Sequence, residues 1–96
     1  MNSIKATQDQ FNKIESIDNR YKLIYEKILA KLELSNAKLS EELKVTPFNE
    51  KKVVKVINDN YSLRAKIKLY NIKHHLEIEA VLDAYQRMKF NEFFKP

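Results

Sequence analysis

Val45-Thr46-Pro47-Phe48 is the stretch that decides the fold, because it contains the strongest break in a chain of 96 residues. A residue before proline is pushed away from helical angles, and proline is favoured at the first position of a new helix. The sequence therefore predicts a turn at 44–47. Thr46 is expected to be the N-cap of the helix that follows, and Glu50 lies near the positive end of its dipole.

Upstream of this break, apolar residues recur at steps of three and four, the spacing of one helical stripe. The stripe consists of Phe11, Ile14, Ile17, Tyr21, Ile24, Tyr25, Ile28, Leu32, Leu39 and Leu43. The whole chain contains no glycine. Since glycine supplies the positive-φ positions of tight turns, its absence favours few, long elements. A first helix over about 4–43 is predicted.

Downstream of the break, the pattern predicts a second helix over about 48–90 and an aromatic tail over 91–96. The expected fold is all-α, a long antiparallel helical hairpin of coiled-coil type in one domain, 1–96. Asn58-Asp59-Asn60 could interrupt the second helix, because these side chains compete for the backbone and favour turns. Completion to a three-helix bundle, or to a four-helix bundle by dimerisation, stays open.

The second helix carries two apolar stripes, and only one of them can pack against the first helix. One stripe runs through Val54, Ile57, Tyr61, Ala65, Leu69, Ile72, Leu76 and Ala80, and the other through Val53, Val56, Leu63, Ile67, Tyr70, Ile78, Val81 or Leu82, and Tyr85. A long exposed apolar face is rare on soluble monomers. The uncovered face is expected to bind a partner, a copy of the chain or a third segment of the protein itself.

Six residues are predicted to bind the partner. They are Leu63, Ile67, Tyr70 and Ile78 on the second helix, with Phe93 and Phe94 in the tail. Aromatic side chains are frequent anchors at interfaces. The alternative for the tail is that its rings fold back and cap the open end of the hairpin.

The residue types argue against catalysis. Without glycine there is no phosphate-cradling loop, dinucleotide fingerprint or nucleophile elbow, and without cysteine no thiolate metal site. His74 and His75 diverge by about 100° on a helix, so they cannot share a metal as an i, i+4 pair could; His75 could instead pair with Glu79. We predict a non-enzymatic protein with no catalytic, cofactor-binding or metal-binding residues.

Charge and hydropathy indicate a cytoplasmic protein. The formal net charge is +5, but acidic residues interrupt the lysine clusters, which disfavours nucleic-acid binding. No apolar run approaches the length of a signal peptide or a membrane span.

The stretch from Tyr25 to Gln86 resembles tubulin-binding cofactor A, a small helical chaperone for β-tubulin. The residues that carry the resemblance are Tyr25, Leu29, Glu33, Ala37-Lys38-Leu39, Val45, Pro47-Phe48, Lys51-Lys52, Val56-Ile57, Asp59, Leu63, Leu82 and Tyr85-Gln86. The resemblance implies a cofactor-free protein that captures β-tubulin folding intermediates. The family folds as three helices, often with a proline in the second, whereas Leu63-Arg64-Ala65 contains none.

Two alternative functions remain open. One is a bacterial helical-hairpin interaction protein that acts as a homodimer or heterodimer, such as a secretion chaperone, a secreted hairpin or a bacteriocin immunity protein. The other is a chorismate mutase-like enzyme, since Ile14-Glu15-Ser16-Ile17-Asp18 with Lys38 resembles the opening of the all-helical mutases. That family requires arginines from its first helix, and Phe11 and Ile28 stand near the matching positions.

Overall fold

Three helices make up the fold. The computed structural model describes residues 4–93, in which α1 spans Gln8–Leu43, α2 spans Glu50–Val81 and α3 spans Ala84–Phe93. The two long helices contact each other as a hairpin, and residues 4–93 contain no strand. The predicted all-α hairpin is confirmed.

Each helix begins at a side-chain cap. At α1, the Thr7 hydroxyl accepts from the Gln10 amide at 3.1 Å and the Gln10 side chain accepts from Thr7 N–H at 2.9 Å, which is a capping box. Asp83 and Gln86 form the same reciprocal pair at α3, at 2.8 and 3.0 Å. These caps supply acceptors for the amides that have no partner within the first helical turn.

The N-cap of α2 is Asn49, and the prediction of Thr46 is wrong. The Asn49 side-chain oxygen accepts from Lys52 N–H at 3.2 Å, and the helix begins at Glu50. Thr46 lies three residues further upstream, within the turn. Asparagine caps at least as well as threonine, so the nearer residue takes the role.

The second interruption of the chain lies at Leu82-Asp83, so the predicted helix over 48–90 is two helices. α2 continues through Asn58-Asp59-Asn60. The side chains of two of these residues are engaged elsewhere, since Asp59 accepts from Lys55 and Asn60 donates to Asn36. At the end of α2, Arg87 Nε donates to the carbonyls of Glu79 and Leu82, and the Glu79 carbonyl also accepts from Leu82 N–H at 3.1 Å.

The chain forms two compact units. The terminal unit comprises the described residues 4–22 and 71–93, and the central unit is Leu23–Tyr70. The core of the terminal unit is built from Ile4, Ile14, Ile78, Leu82 and Phe90, with Ile17 and Val81 packed against it. All three helices therefore contribute to this unit, and α3 supplies Phe90.

A partly buried pair of amide side chains joins the helices of the terminal unit. Gln10 Nε2 donates to Gln86 Oε1 at 2.8 Å, and Gln86 Nε2 donates back to Gln10 Oε1 at 3.0 Å. The same nitrogens also donate to the carbonyls of Val81 and Lys5. The buried Gln86 is thereby satisfied, as a polar group without water must be.

The central unit is a two-helix hairpin with a thin interior. Its buried residues are Ile28, Ser35 and Val53. Asn60 on α2 donates to Asn36 Oδ1 at 2.7 Å and lies 3.5 Å from Ser35 Oγ on α1. This polar contact fixes the register of the two helices here, as polar residues do at coiled-coil seams.

Candidate functional site

In the central unit, more large apolar side chains are exposed than buried. Among its residues, two large apolar side chains are buried, Ile28 and Val53. Nine are exposed: Leu23, Leu29, Leu34, Leu43, Val45, Phe48, Val54, Tyr61 and Leu69. Single exposed apolar residues are ordinary, but this ratio shows that two helices alone cannot cover their own apolar residues.

Four of these positions follow one face of α2. Val54, Tyr61, Ala65 and Leu69 are all exposed, and Tyr61 is 68% exposed. Their spacing of seven, four and four residues places them on one side of a helix. We call these four residues the α2 row.

The structure exchanges the roles of the two apolar stripes of α2. Val53 is buried, and Val56, Leu63, Ile67 and Tyr70 are half-buried. The α2 row lies on the other side and faces solvent. The apolar face left uncovered in this unit is therefore not the predicted one.

The six predicted partner-binding residues are not brought together. Leu63, Ile67 and Tyr70 are half-buried in the central unit. Ile78 is only 7% exposed and belongs to the core of the terminal unit, so the prediction that it lies on an open surface is wrong. Phe93 is 65% exposed on α3, and Phe94 lies outside the described residues.

Leu63 nevertheless lines a shallow cleft along one side of the central unit. The cleft has two adjoining parts of about 380 and 220 Å³. They share Leu34, Lys38 and Val56; the larger adds Ala37, Glu41 and Glu42, and the smaller adds Lys31, Ser35, Asp59 and Leu63. An apolar floor with a rim of mixed charge can accept a side chain of another polypeptide.

The two histidines lie in the terminal unit and point to different partners. His74 stacks on the buried Tyr21 ring at 4.6 Å, and its Nε2 lies 2.7 Å from Asp18. His75 stacks on Phe90 at 4.8 Å and contacts Asn91 and Glu79. The predicted contact of His75 with Glu79 is confirmed, and both rings join helices of this unit.

The Glu77 carboxylate of the terminal unit forms a bidentate ion pair with Arg20. Arg20 donates to both of its oxygens at 3.1 Å, and the Arg20 guanidinium lies 5.2 Å from the centre of the Tyr21 ring. A hydrogen bond from the Tyr21 side chain, followed by the Arg20 contact, lowers the pKa of Glu77 below its ordinary value. The arrangement holds α1 and α2 together in this unit.

The described residues form neither a metal site nor a membrane-spanning helix. Residues 4–93 present no group of three or more His, Asp or Glu side chains that is placed to hold a metal ion. Over the same residues, no helix has both the length and the apolar content that crossing a membrane requires.

The fold and this surface define a three-helix, all-α hairpin protein with an exposed apolar row on its second helix. Comparison with known proteins adds no relative, since no family model, curated protein or solved structure matches the chain.

Proposed function

We propose that the protein is a non-enzymatic binding protein whose central unit is covered by another polypeptide. The observation that carries the proposal is the ratio of two buried to nine exposed large apolar side chains between Leu23 and Tyr70. Fully burying one such side chain contributes about 1.5–3 kcal/mol. A partner that covers only some of them would gain several kcal/mol before the entropy cost of association.

Tyr61 and Leu69 are the expected anchors of this interface. Both stand on the α2 row, and tyrosine is among the residues that contribute most to interface energies. Exposed apolar residues one to two turns apart on a helix are the usual means by which helices recognise other helices.

β-Tubulin is the first partner to test. This choice depends on the resemblance to tubulin-binding cofactor A, whose most specific part here is Pro47-Phe48 with Lys51-Lys52. These residues lie at the turn and at the start of α2 and are exposed. A cytoplasmic location belongs to the same proposal.

Self-association is the second candidate, as in a bacterial hairpin interaction protein. It is favoured by exposed apolar residues on both arms of the central unit, Leu23 and Leu34 on α1 and the α2 row. Two such hairpins could bury these residues in a four-helix arrangement.

One set of measurements tests both candidates. Light scattering after gel filtration gives the mass of the purified chain, and co-elution with purified tubulin under native conditions tests the chaperone. We expect the Tyr61→Ser/Leu69→Ser double variant to lose whichever association the wild type shows. The Tyr85→Ser/Met88→Ser variant, which removes two exposed apolar residues from α3, is the matched control and should retain it.

A wild type that stays monomeric and does not bind tubulin removes both candidates. Equal behaviour of the two double variants would contradict the assignment to the central unit. Formation of prephenate from chorismate by the purified chain would contradict the non-enzymatic part of the proposal.

A further inference from the structure

The α2 row is bordered on both sides by basic residues. Between Asn60 and Tyr70 the chain has three cations, Arg64, Lys66 and Lys68, and no acidic residue. At about 100° per residue, Arg64 and Lys68 fall on one side of Tyr61, Ala65 and Leu69, and Lys66 falls on the other. The middle of the row therefore lies between two basic flanks.

These charges are not paired with carboxylates among the described residues. Lys66 and Lys68 are exposed, and neither takes part in an ion pair among residues 4–93. Arg64 Nε donates to the neutral Asn60 side chain at 2.8 Å. Lys55, about two and a half turns before Arg64, differs because it pairs with Asp59 at 3.2 Å. The three cations are thus available to the groups that cover the row.

We propose that the segment Tyr61–Leu69 of α2 binds an amphipathic helix of another protein whose apolar stripe is flanked by glutamate or aspartate. The inference rests on the proposed function and specifies the chemistry of the partner. Apolar residues at helical spacing match the stripe of a second helix, and charges beside such a seam select the partner by their sign.

Two other classes of anionic partner fit this face less well. Helices that lie on membranes present a broad apolar face of large residues, whereas this row offers one valine, one tyrosine, one alanine and one leucine. Binding of single-stranded nucleic acid uses several aromatic rings on which bases stack, and Tyr61 is the row's single aromatic residue. A narrow apolar row between cations is better matched by an acidic helix.

A peptide display library provides the test. Each member carries leucines at fixed heptad core positions, and its flanking positions are randomised among Glu, Lys and Gln; the full chain is the immobilised target. We expect selection to enrich Glu at the flanks. The affinity of a selected synthetic peptide, measured by fluorescence anisotropy, should fall as salt is added, because salt screens exposed charges.

Charge reversal gives the decisive comparison. The Lys66→Glu/Lys68→Glu variant should bind the selected peptide about tenfold more weakly, and a peptide with Lys in place of each flanking Glu should restore binding. The control is Lys22→Glu/Lys27→Glu, which makes the same change in net charge at two exposed lysines of α1. Circular dichroism checks that both variants are folded.

Other results would overturn the inference. Loss of binding in Leu69→Glu but not in Lys66→Glu/Lys68→Glu would leave the proposed function in place and refute the acidic partner. Enrichment of Lys or Gln at the flanks would refute it too. A library without binders would refute it as well. In that case, binding of the chain to phosphatidylserine vesicles would assign the face to membranes. Co-elution with tubulin tests the proposed function independently of this result.

Discussion

Replacing Phe90 with alanine should remove most of what holds α3 in the terminal unit. Phe90 is 2% exposed, lies in the core with Ile14, Ile78 and Leu82, and stacks on the His75 ring. A phenylalanine side chain buries roughly 150 Å², and at about 25 cal/mol per Å² its loss costs about 4 kcal/mol. Measured Phe→Ala substitutions in cores cost about 3–5 kcal/mol.

This loss is large for a chain of this size. Domains are stable by roughly 0.05–0.15 kcal/mol per residue, so the whole protein should be stable by about 5–14 kcal/mol. Urea unfolding followed by far-UV circular dichroism should therefore show a midpoint lower by about 2 to 3 M for Phe90→Ala. Phe93→Ala is the control, because Phe93 is on the same helix and 65% exposed.

We expect Phe93→Ala to change the free energy of unfolding by less than about 0.5 kcal/mol. Hydrogen exchange of the α3 amides should become much faster in Phe90→Ala, because the helix loses its main apolar contact. A cost below about 1 kcal/mol for Phe90→Ala, or equal costs for the two variants, would refute the description of this core.

Three further predictions concern polar groups. Gln86→Ala should cost about 2 kcal/mol of unfolding free energy, because it removes the buried partner of the half-buried Gln10. Gln8→Ala, at an exposed position, should cost little; equal urea midpoints for the two variants would contradict this. Asn49→Ala should cost about 1 kcal/mol and Thr46→Ala almost nothing, since Asn49 is the cap of α2; the reverse order would restore Thr46 as the cap. The lowered pKa of Glu77 stabilises the folded state above the ordinary carboxyl range, and this stabilisation is lost as the pH falls through the folded pKa. The thermal midpoint of Glu77→Gln should therefore depend less on pH below about 4.5 than that of the wild type. Glu15→Gln, at an exposed position, is the control and should follow the wild-type pH profile. Parallel pH profiles for Glu77→Gln and the wild type would contradict the anchoring of Glu77.

The sequence was sufficient to predict the two long helices, because their apolar period and the break near Pro47 are local signals. The second break was missed for a physical reason. Without glycine or proline at Leu82-Asp83, the only local signal is the pair Asp83 and Gln86, whose spacing matches a capping box. The same spacing occurs in Thr7 and Gln10, so capping pairs could have located both starts.

The uncovered face of α2 could not be chosen from the sequence. Both stripes of α2 have the helical period, and which one packs depends on the partners that α1 offers. In the structure, Asn60 contacts Asn36 and lies beside Ser35, and this brings Val56 and Leu63 toward the first helix. The apolar pattern of one sequence gives the period of a helix, but it does not show which side of that helix faces its neighbour.

The terminal unit has a consequence for the order of events during synthesis. Its amide pair joins residues 76 positions apart, and Gln86 also bonds to the carbonyl of a residue 81 positions away. In the central unit, Asn60 reaches Asn36 over only 24 positions. Contacts between distant residues form late, since they close long loops. On the ribosome, the central hairpin can therefore pair early, whereas Ile14 lacks its core neighbours Ile78, Leu82 and Phe90 until these have emerged. During that interval it is exposed to chaperones and to other nascent chains.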